Sequence, residues 1–332
     1  MRRRIVATVA GFGVLAAAAV LLAPLAGSTT ISLSRAFDRS IPFADNVDAQ
    51  VFFVARLPRV VAAALVGAAF ALAGAVFQAL LRNPLASPDT LGVSAGATLG
   101  AILVIAFHLD ISAFGVSSIP VASFAGSLGA FGIIYALSIA RRRGTSTTVL
   151  LLAGVALTAL LSALNRFVTL IADFTDTFRS VRWMMGALDV GGYREIMAAL
   201  APMLVAFAII FSLPRVLDLV SLGSEAAEFR GVDVKRAERL ALVGASLSTG
   251  AAVSLGGPIP FVGIIVPHIV RLMVGADHRV VLPASALFGA AFLIVCDLAA
   301  RTLFGPVEPP VGTVTALIGG PFFLWLLFKR QR

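Results

Sequence analysis

The chain has 332 residues, of which 59% are hydrophobic and 13% charged, with a formal net charge of +9 and a mean hydropathy of +0.99. A soluble domain carries about 25% charged residues, so this composition excludes an ordinary water-soluble fold and makes lipid the solvent for most of the surface. The positive charges sit in short clusters between apolar runs, which argues against a nucleic-acid-binding stripe, and one cysteine, Cys296, excludes a disulfide framework or a cysteine-held metal site.

From the N-terminus, Arg2 to Arg4 precede an apolar run that reaches Gly27. That run exceeds the roughly 7–15 apolar residues of a secretory signal and meets the roughly 20 needed to cross a bilayer. It reads as a retained first membrane helix. Residues 28–56 follow as an outer loop, in which Asp38, Asp45 and Asp48 face Arg35 and Arg39 and a short helix has room to form.

Further spans are expected near residues 57–81, 91–108, 116–140, 148–171, 194–213, 238–256, 259–274, 282–303 and 311–328. The span at 259–274 is short. Gly256-Gly-Pro-Ile-Pro260 breaks the run before it and Pro267 interrupts it, so a tilted or partly re-entrant helix is expected there. Residues 214–237 form an inner loop in which Ser224 to Arg230 has helical composition, with Ser224 as N-cap and Gly231 as the stop. About ten crossings put both termini on one side. Placed inside, the clusters Arg2 to Arg4, Arg141 to Arg143, Arg215 to Arg239 and Lys329 to Arg332, with Arg82, Arg271 and Arg279, bring more than half of the 26 basic residues to the cytoplasm.

Little here can do covalent chemistry. Only two lysines exist, Lys235 and Lys329, and neither follows a glycine, so no phosphate-cradling loop can form and ATP is not bound in that way. His108, His268 and His278 are scattered singly, and no resident metal centre is expected from their spacing. Arg56 and Arg59 at the outer mouth of the second span either anchor that helix or present fork-shaped donors to carboxylates of a docking protein. Asp297 and Arg301 are four apart and can pair on one helix face. A lone charge at mid-membrane costs about 2.5–3.5 kcal/mol, so a structural ion pair competes with a proton relay at Asp297. Thr158, Ser162, Asn165 and Thr169 share one face of the fifth span, and such a stripe either lines a pathway or holds helices together. The segment Ser221 to Asp233, with Phe229 projecting, either docks into a groove of a cytoplasmic protein or forms a solvated loop.

A longer pattern gathers these features. Arg56-Leu-Pro-Arg59, then small residues, Gln78, Arg82-Asn-Pro-Leu-Ala-Ser-Pro88 and Leu91-Gly92 run in fixed order. They continue in Trp183-Met-Met-Gly186, Gly257-Pro-Ile-Pro-Phe-Val-Gly263, Pro267-His-Ile-Val-Arg271, Gly275-Ala-Asp-His-Arg279, Asp297 with Arg301, Glu308-Pro-Pro-Val-Gly312 and Gly320-Pro-Phe322. From about residue 50 to its C-terminus the chain resembles the FecCD family, the permease subunits of ATP-driven importers for iron-siderophores, haem and vitamin B12. Ala187 stands where those proteins often carry serine.

The resemblance implies an all-α integral membrane protein, a single permease domain over residues 1–332 with an inverted repeat of spans 2–5 and 7–10. The echo of Leu65-Val-Gly-Ala68 in Leu242-Val-Gly-Ala245 fits that repeat. It implies that residues 214–237 are a coupling loop, with Leu222, Gly223, Glu225, Glu228, Phe229, Arg230 and Gly231 meeting a cytoplasmic ATPase dimer that binds ATP and magnesium. It implies that Arg56, Arg59 and Arg301 meet acidic residues of a periplasmic or lipid-anchored substrate-binding protein. It makes Thr158, Ser162, Asn165 and Thr169 a candidate pathway face. A second permease subunit, the plasma (or inner) membrane, cytoplasmic termini and a ferric siderophore as cargo complete the expectation. Haem or cobalamin are alternatives, and a proton-coupled secondary transporter is a further one.

Overall fold

The computed structural model describes residues 2–111, 115–140, 147–303 and 307–330. The basic cluster Arg141 to Arg143, Arg332 and the start of the expected outer loop at 304–306 lie outside the described residues. Among those described, the regular structure is helical and contains no strand.

The ten apolar runs become helices α1 (Arg2–Leu22), α4 (Leu57–Leu80), α5 (Val93–Phe107), α6 (Ser118–Ala140), α7 (Thr147–Ile171), α9 (Tyr193–Phe211), α12 (Val234–Gly256), α13 (Val262–Val274), α14 (His278–Leu303) and α15 (Val311–Arg330). Between them lie five short helices, α2 (Leu33–Ala36), α3 (Val47–Gln50), α8 (Phe174–Met184), α10 (Pro214–Ser221) and α11 (Ser224–Glu228). Among the described residues, seven helices are long and apolar enough to cross a bilayer, and three apolar stretches, Val93–Phe107, Val262–Val274 and Val311–Trp325, are shorter. With 13 residues, α13 is about 20 Å long at 1.5 Å per residue, short of a hydrocarbon core of about 30 Å.

Helices α4 and α12 form the centre, each 78% buried along its most apolar stretch, whereas α1, α6, α7 and α9 are 17–28% buried and form the lipid- or partner-facing rim. The pairing is reciprocal. α4 packs on α13 and α14, α12 packs on α5 and α6, and the two central helices pack on each other. This is the arrangement of two half-bundles exchanged by a pseudo-twofold axis. α1 closes one side of α14, with Phe12 stacked on Phe288 at 4.9 Å between ring centroids.

In lipid, apolar side chains gain little by turning inward, so close backbone approach and dispersion hold the helices together. A Cβ on Gly74 would lie 1.9 Å from the carbonyl oxygen of Gly263, and one on Gly67 would lie 2.2 Å from that of Gly289. The small-residue pattern of α4 is therefore its contact surface for α13 and α14. The motif glycines 186, 257 and 312 meet in one backbone knot. Gly312 N donates to Gly186 O at 3.0 Å. A Cβ on Gly186 would meet Pro258 O at 2.5 Å, and one on Gly312 would meet Met185 O at 2.1 Å. Motifs about 70 and 55 positions apart in sequence thus tie the end of α8 to the starts of α13 and α15.

Candidate functional site

Two ends of the bundle carry the charged side chains. At the end bearing the 28–56 segment, called outer here, a continuous π-helical turn at Val51–Arg56 leads into α4. Arg56 is buried at 5% exposure. Its guanidinium donates to Pro24 O at 3.1 Å and to Thr29 O. Arg59, one turn on, donates from Nε to Asp297 Oδ1 at 2.8 Å and from Nη1 to Glu308 Oε2 at 3.1 Å. Asp297, fully buried, also lies 3.0 Å from Arg301 Nε. Arg301, 4% exposed, donates to Ala26 O at 3.2 Å, and Ser28 Oγ reaches Glu308 at 3.1 Å.

The pair expected four residues apart on α14 is therefore present, and its carboxylate is shared with a second arginine from α4. A carboxylate flanked by two guanidiniums has a charge partner on each side, the geometry of a structural ion pair. The three outer arginines are brought together, but Arg56 and Arg301 lie below the surface with donors committed inside the chain. Arg59 alone of the three is partly exposed at its side chain.

At the opposite, inner end, α10 and α11 form a bracket. Gly223 at φ +125 separates them, a backbone region favouring glycine. Gly231 N donates to Glu228 O at 2.9 Å and Val232 N to Ala227 O at 3.1 Å, the paired bonds of a Schellman stop with Gly231 in the left-handed region at φ +79. The apolar contact of that motif is present, because Ala227 and Val232 pack with Val220, Val234 and Ala237. Ser224 is not the N-cap. Gly223 occupies that position, and the Ser224 hydroxyl instead accepts from Arg82 at 3.3 Å, because the α4–α5 hairpin lies beneath the bracket. Phe229 is 92% exposed and Leu222 65% exposed, with Glu225, Glu228 and Arg230 exposed around them.

A second polar contact clamps the bracket to the bundle from α14. His278, buried at the start of α14, approaches Asp218 Oδ1 of α10 through Nδ1 at 2.6 Å, and its backbone N donates to the same oxygen at 3.0 Å. Next to it, the N–H donors of Arg279 hold the Asp277 carboxyl below the usual carboxylate range.

The polar stripe of α7 faces inward, toward α5. Thr158 donates to Asp89 O at 3.2 Å, Asn165 Nδ2 to Ala95 O at 3.3 Å, and Thr169 back to Asn165 O at 2.8 Å. Ser162 shares that partly buried face. In this conformation Thr158 and Asn165 bind backbone carbonyls of the neighbouring segment 89–95, while Thr169 bonds within its own helix. Nor are the histidines all isolated: besides His278, His108 lies 3.1 Å from Asp176. Sequence reading missed this pair and the Asp218–His278 clamp, since both partners are distant along the chain; the one local signal that could have marked α8, its capping Asp173, went unread.

Comparison with known proteins places these features in context. Residues 15–329 match the model of the FecCD transport family. The chain is 44% identical over 306 residues to the cobalamin import permease of Halobacterium salinarum, covering 90% of this chain and 79% of that one. It is 41% identical over 278 residues to the hemin transport permease of Yersinia pestis, covering 83% and 82%. With the ferric dicitrate permease of Escherichia coli K12 it shares 39% identity over 276 residues, covering 83% and 84%. A solved structure of an inward-facing metal-chelate type ABC transporter superposes with a TM-score of 0.84 at 31% identity, covering 97% of this chain and 98% of that one.

Proposed function

The chain belongs to the FecCD transport family, and from that membership we propose that it carries a ferric siderophore across the membrane as the permease of an ATP-driven importer. The observation that carries the transport reading is the match over residues 15–329 joined to the inner bracket, where a glycine-stopped helix presents an almost fully exposed Phe229 among charged neighbours. An exposed aromatic rimmed by charge suits a groove on a soluble partner.

In this reading two cytoplasmic ATPases grip Leu222, Glu225, Glu228, Phe229 and Arg230 of two permease copies. Nucleotide binding favours one ATPase arrangement over another and so shifts the population of permease states. The Asp218–His278 clamp passes that displacement from α10 to the start of α14. α14 is a single 26-residue helix, rigid enough to deliver it to Asp297 and Arg301 near its other end. There the network with Arg59 and Glu308 sets the shape of the outer mouth. A substrate-binding protein docks on that rim, with Arg59 the member of the arginine group nearest to it and Arg56 and Arg301 shaping the rim from beneath. ATP and magnesium belong to the ATPase, and the termini face the cytoplasm on the distribution of basic clusters.

An iron chelate is favoured because two of the three relatives named above are named for iron complexes, hemin and ferric dicitrate. The 44% identity to a cobalamin permease favours cobalamin as the second reading. The test is uptake into proteoliposomes holding this chain, its ATPase and its binding protein, with ferric siderophore, hemin and cobalamin offered separately. ATP-dependent uptake of the siderophore supports the proposal, and uptake of cobalamin alone replaces it with the second reading.

A further inference from the structure

We propose that the outer end of α5 and the first turn of α8 form a site for a first-row divalent cation of the zinc class, held by His108, Asp173 and Asp176. The ligand atoms of these three side chains lie within 4.8 Å of one another. They come from three places in the chain: His108 ends α5, Asp173 sits in the turn between α7 and α8, and Asp176 lies one turn into α8.

The local geometry goes beyond what capping requires. Asp173 caps α8 with one oxygen, Oδ1, which accepts from Asp176 N at 2.8 Å. A capping carboxylate belongs at a helix start, but that role leaves its second oxygen to a ligand. Asp176 is 3% exposed, unusual for a carboxylate at a helix start. Arg179 reaches its Oδ1 at 3.4 Å, and Oδ2 points to His108 Nε2 at 3.1 Å. Two donors around a tetrahedral cation with bonds of about 2.1 Å stand about 3.4 Å apart, so the His108–Asp176 pair already has the separation of two ligands of one ion. Asp173, which is exposed, completes the set by side-chain rotation.

The backbone supports the same placement. His108 lies in the left-handed region at φ +49, where histidine is several-fold enriched among non-glycine residues, and that turn aims its ring across the end of α5. Its side chain is 68% exposed, so a fourth position opens to water. One imidazole with two carboxylates is a donor set for zinc and its first-row neighbours; the imidazole disfavours magnesium and calcium. Arg179 offsets part of the charge of Asp176 while leaving its metal-facing oxygen available. A bound ion would staple α5 to α8, at the far end of the same α5–α7 contact that Asn165 secures through Ala95 O.

The experiment uses the full chain, purified in detergent through a tag without histidine and stripped with a chelator, then titrated calorimetrically with zinc alone. The variants are His108→Asn, which tolerates the left-handed backbone, and Asp176→Asn, with helicity by circular dichroism as the control for folding. One zinc per chain is expected for the wild type, with affinity lower by on the order of 10-fold or more in each variant. If Asp176→Asn fails to fold, His108→Asn, at an exposed side chain, decides alone. Equal zinc uptake by wild type and His108→Asn overturns the proposal and leaves His108–Asp176 as an ion pair only.

Discussion

Arg59 and Asp297, separated by 238 positions in the chain, meet at 2.8 Å between Nε and Oδ1. The contact fastens the start of α4 to the last third of α14, and Glu308 and Arg301 extend it on either side. Removing one partner of a buried pair leaves an uncompensated charge, which costs about 3–5 kcal/mol. Asp297→Asn is therefore expected to lower the thermal unfolding midpoint in detergent markedly, and whatever uptake the folded fraction retains is expected to stay ATP-dependent and indifferent to a proton gradient. Wild-type uptake driven by a proton gradient without ATP, and abolished in a normally stable Asp297→Asn variant, would instead make Asp297 a proton carrier.

The packing of α4 offers a sharper contrast. Gly74→Ala places a methyl 1.9 Å from Gly263 O, and backbone cannot yield as a side chain can. A loss of about 1–3 kcal/mol is expected for such overpacking, read as reduced yield and a lower midpoint. Gly132→Ala in α6 meets nothing within 4 Å and is expected to be neutral or to stabilise by up to about 1 kcal/mol. Equal behaviour of the two variants would contradict the close-approach account of α4.

Asn165→Leu separates glue from pathway. The change removes the bond to Ala95 O and is expected to cost about 0.6–2 kcal/mol, the range for interhelical polar contacts in lipid. Uptake per folded molecule and the ranking of substrates should be unchanged. Altered substrate ranking at unchanged stability would return the stripe to the pathway.

Asp218→Ala opens the clamp to His278. A hydrogen bond to a charged group is worth about 1.5–3 kcal/mol, so the α10–α11 bracket should loosen from α14 without losing its exposed face. The expected result is an ATPase that still co-purifies and still turns over ATP, with uptake per ATP reduced. Unchanged coupling would show that displacement reaches the bundle through another contact, such as Arg82 with Ser224.

The ten apolar helices were legible because a span is a length of hydrophobic sequence, and lipid leaves no other way to satisfy the backbone. The break before α13 was legible for the same reason, through its prolines and glycines. Gly231 could be read as a helix stop, since few other residues suit φ +79, whereas Ser224 was displaced from capping by Gly223 next to it. Asp297 with Arg301 was visible as an i, i+4 pair, but Arg59 found its carboxylates 238 and 249 positions away, a separation no local pattern reports. The face of the α7 stripe could be read from its spacing, but which neighbour it met could not. α8 is too polar and short for hydropathy to detect, and with it His108–Asp176 stayed hidden.

The central claim is that the bracket of α10 and α11 grips an ATPase, and co-purification tests it most directly. The tagged chain is solubilised from membranes that hold its partners, as wild type and as Glu225→Arg/Glu228→Arg, both at exposed positions where the fold should be retained. The account predicts that an ATPase comes down with the wild type and is lost from the equally folded variant. An ATPase retained at equal amount by the variant, or absent from the wild type in mild detergents, would contradict it.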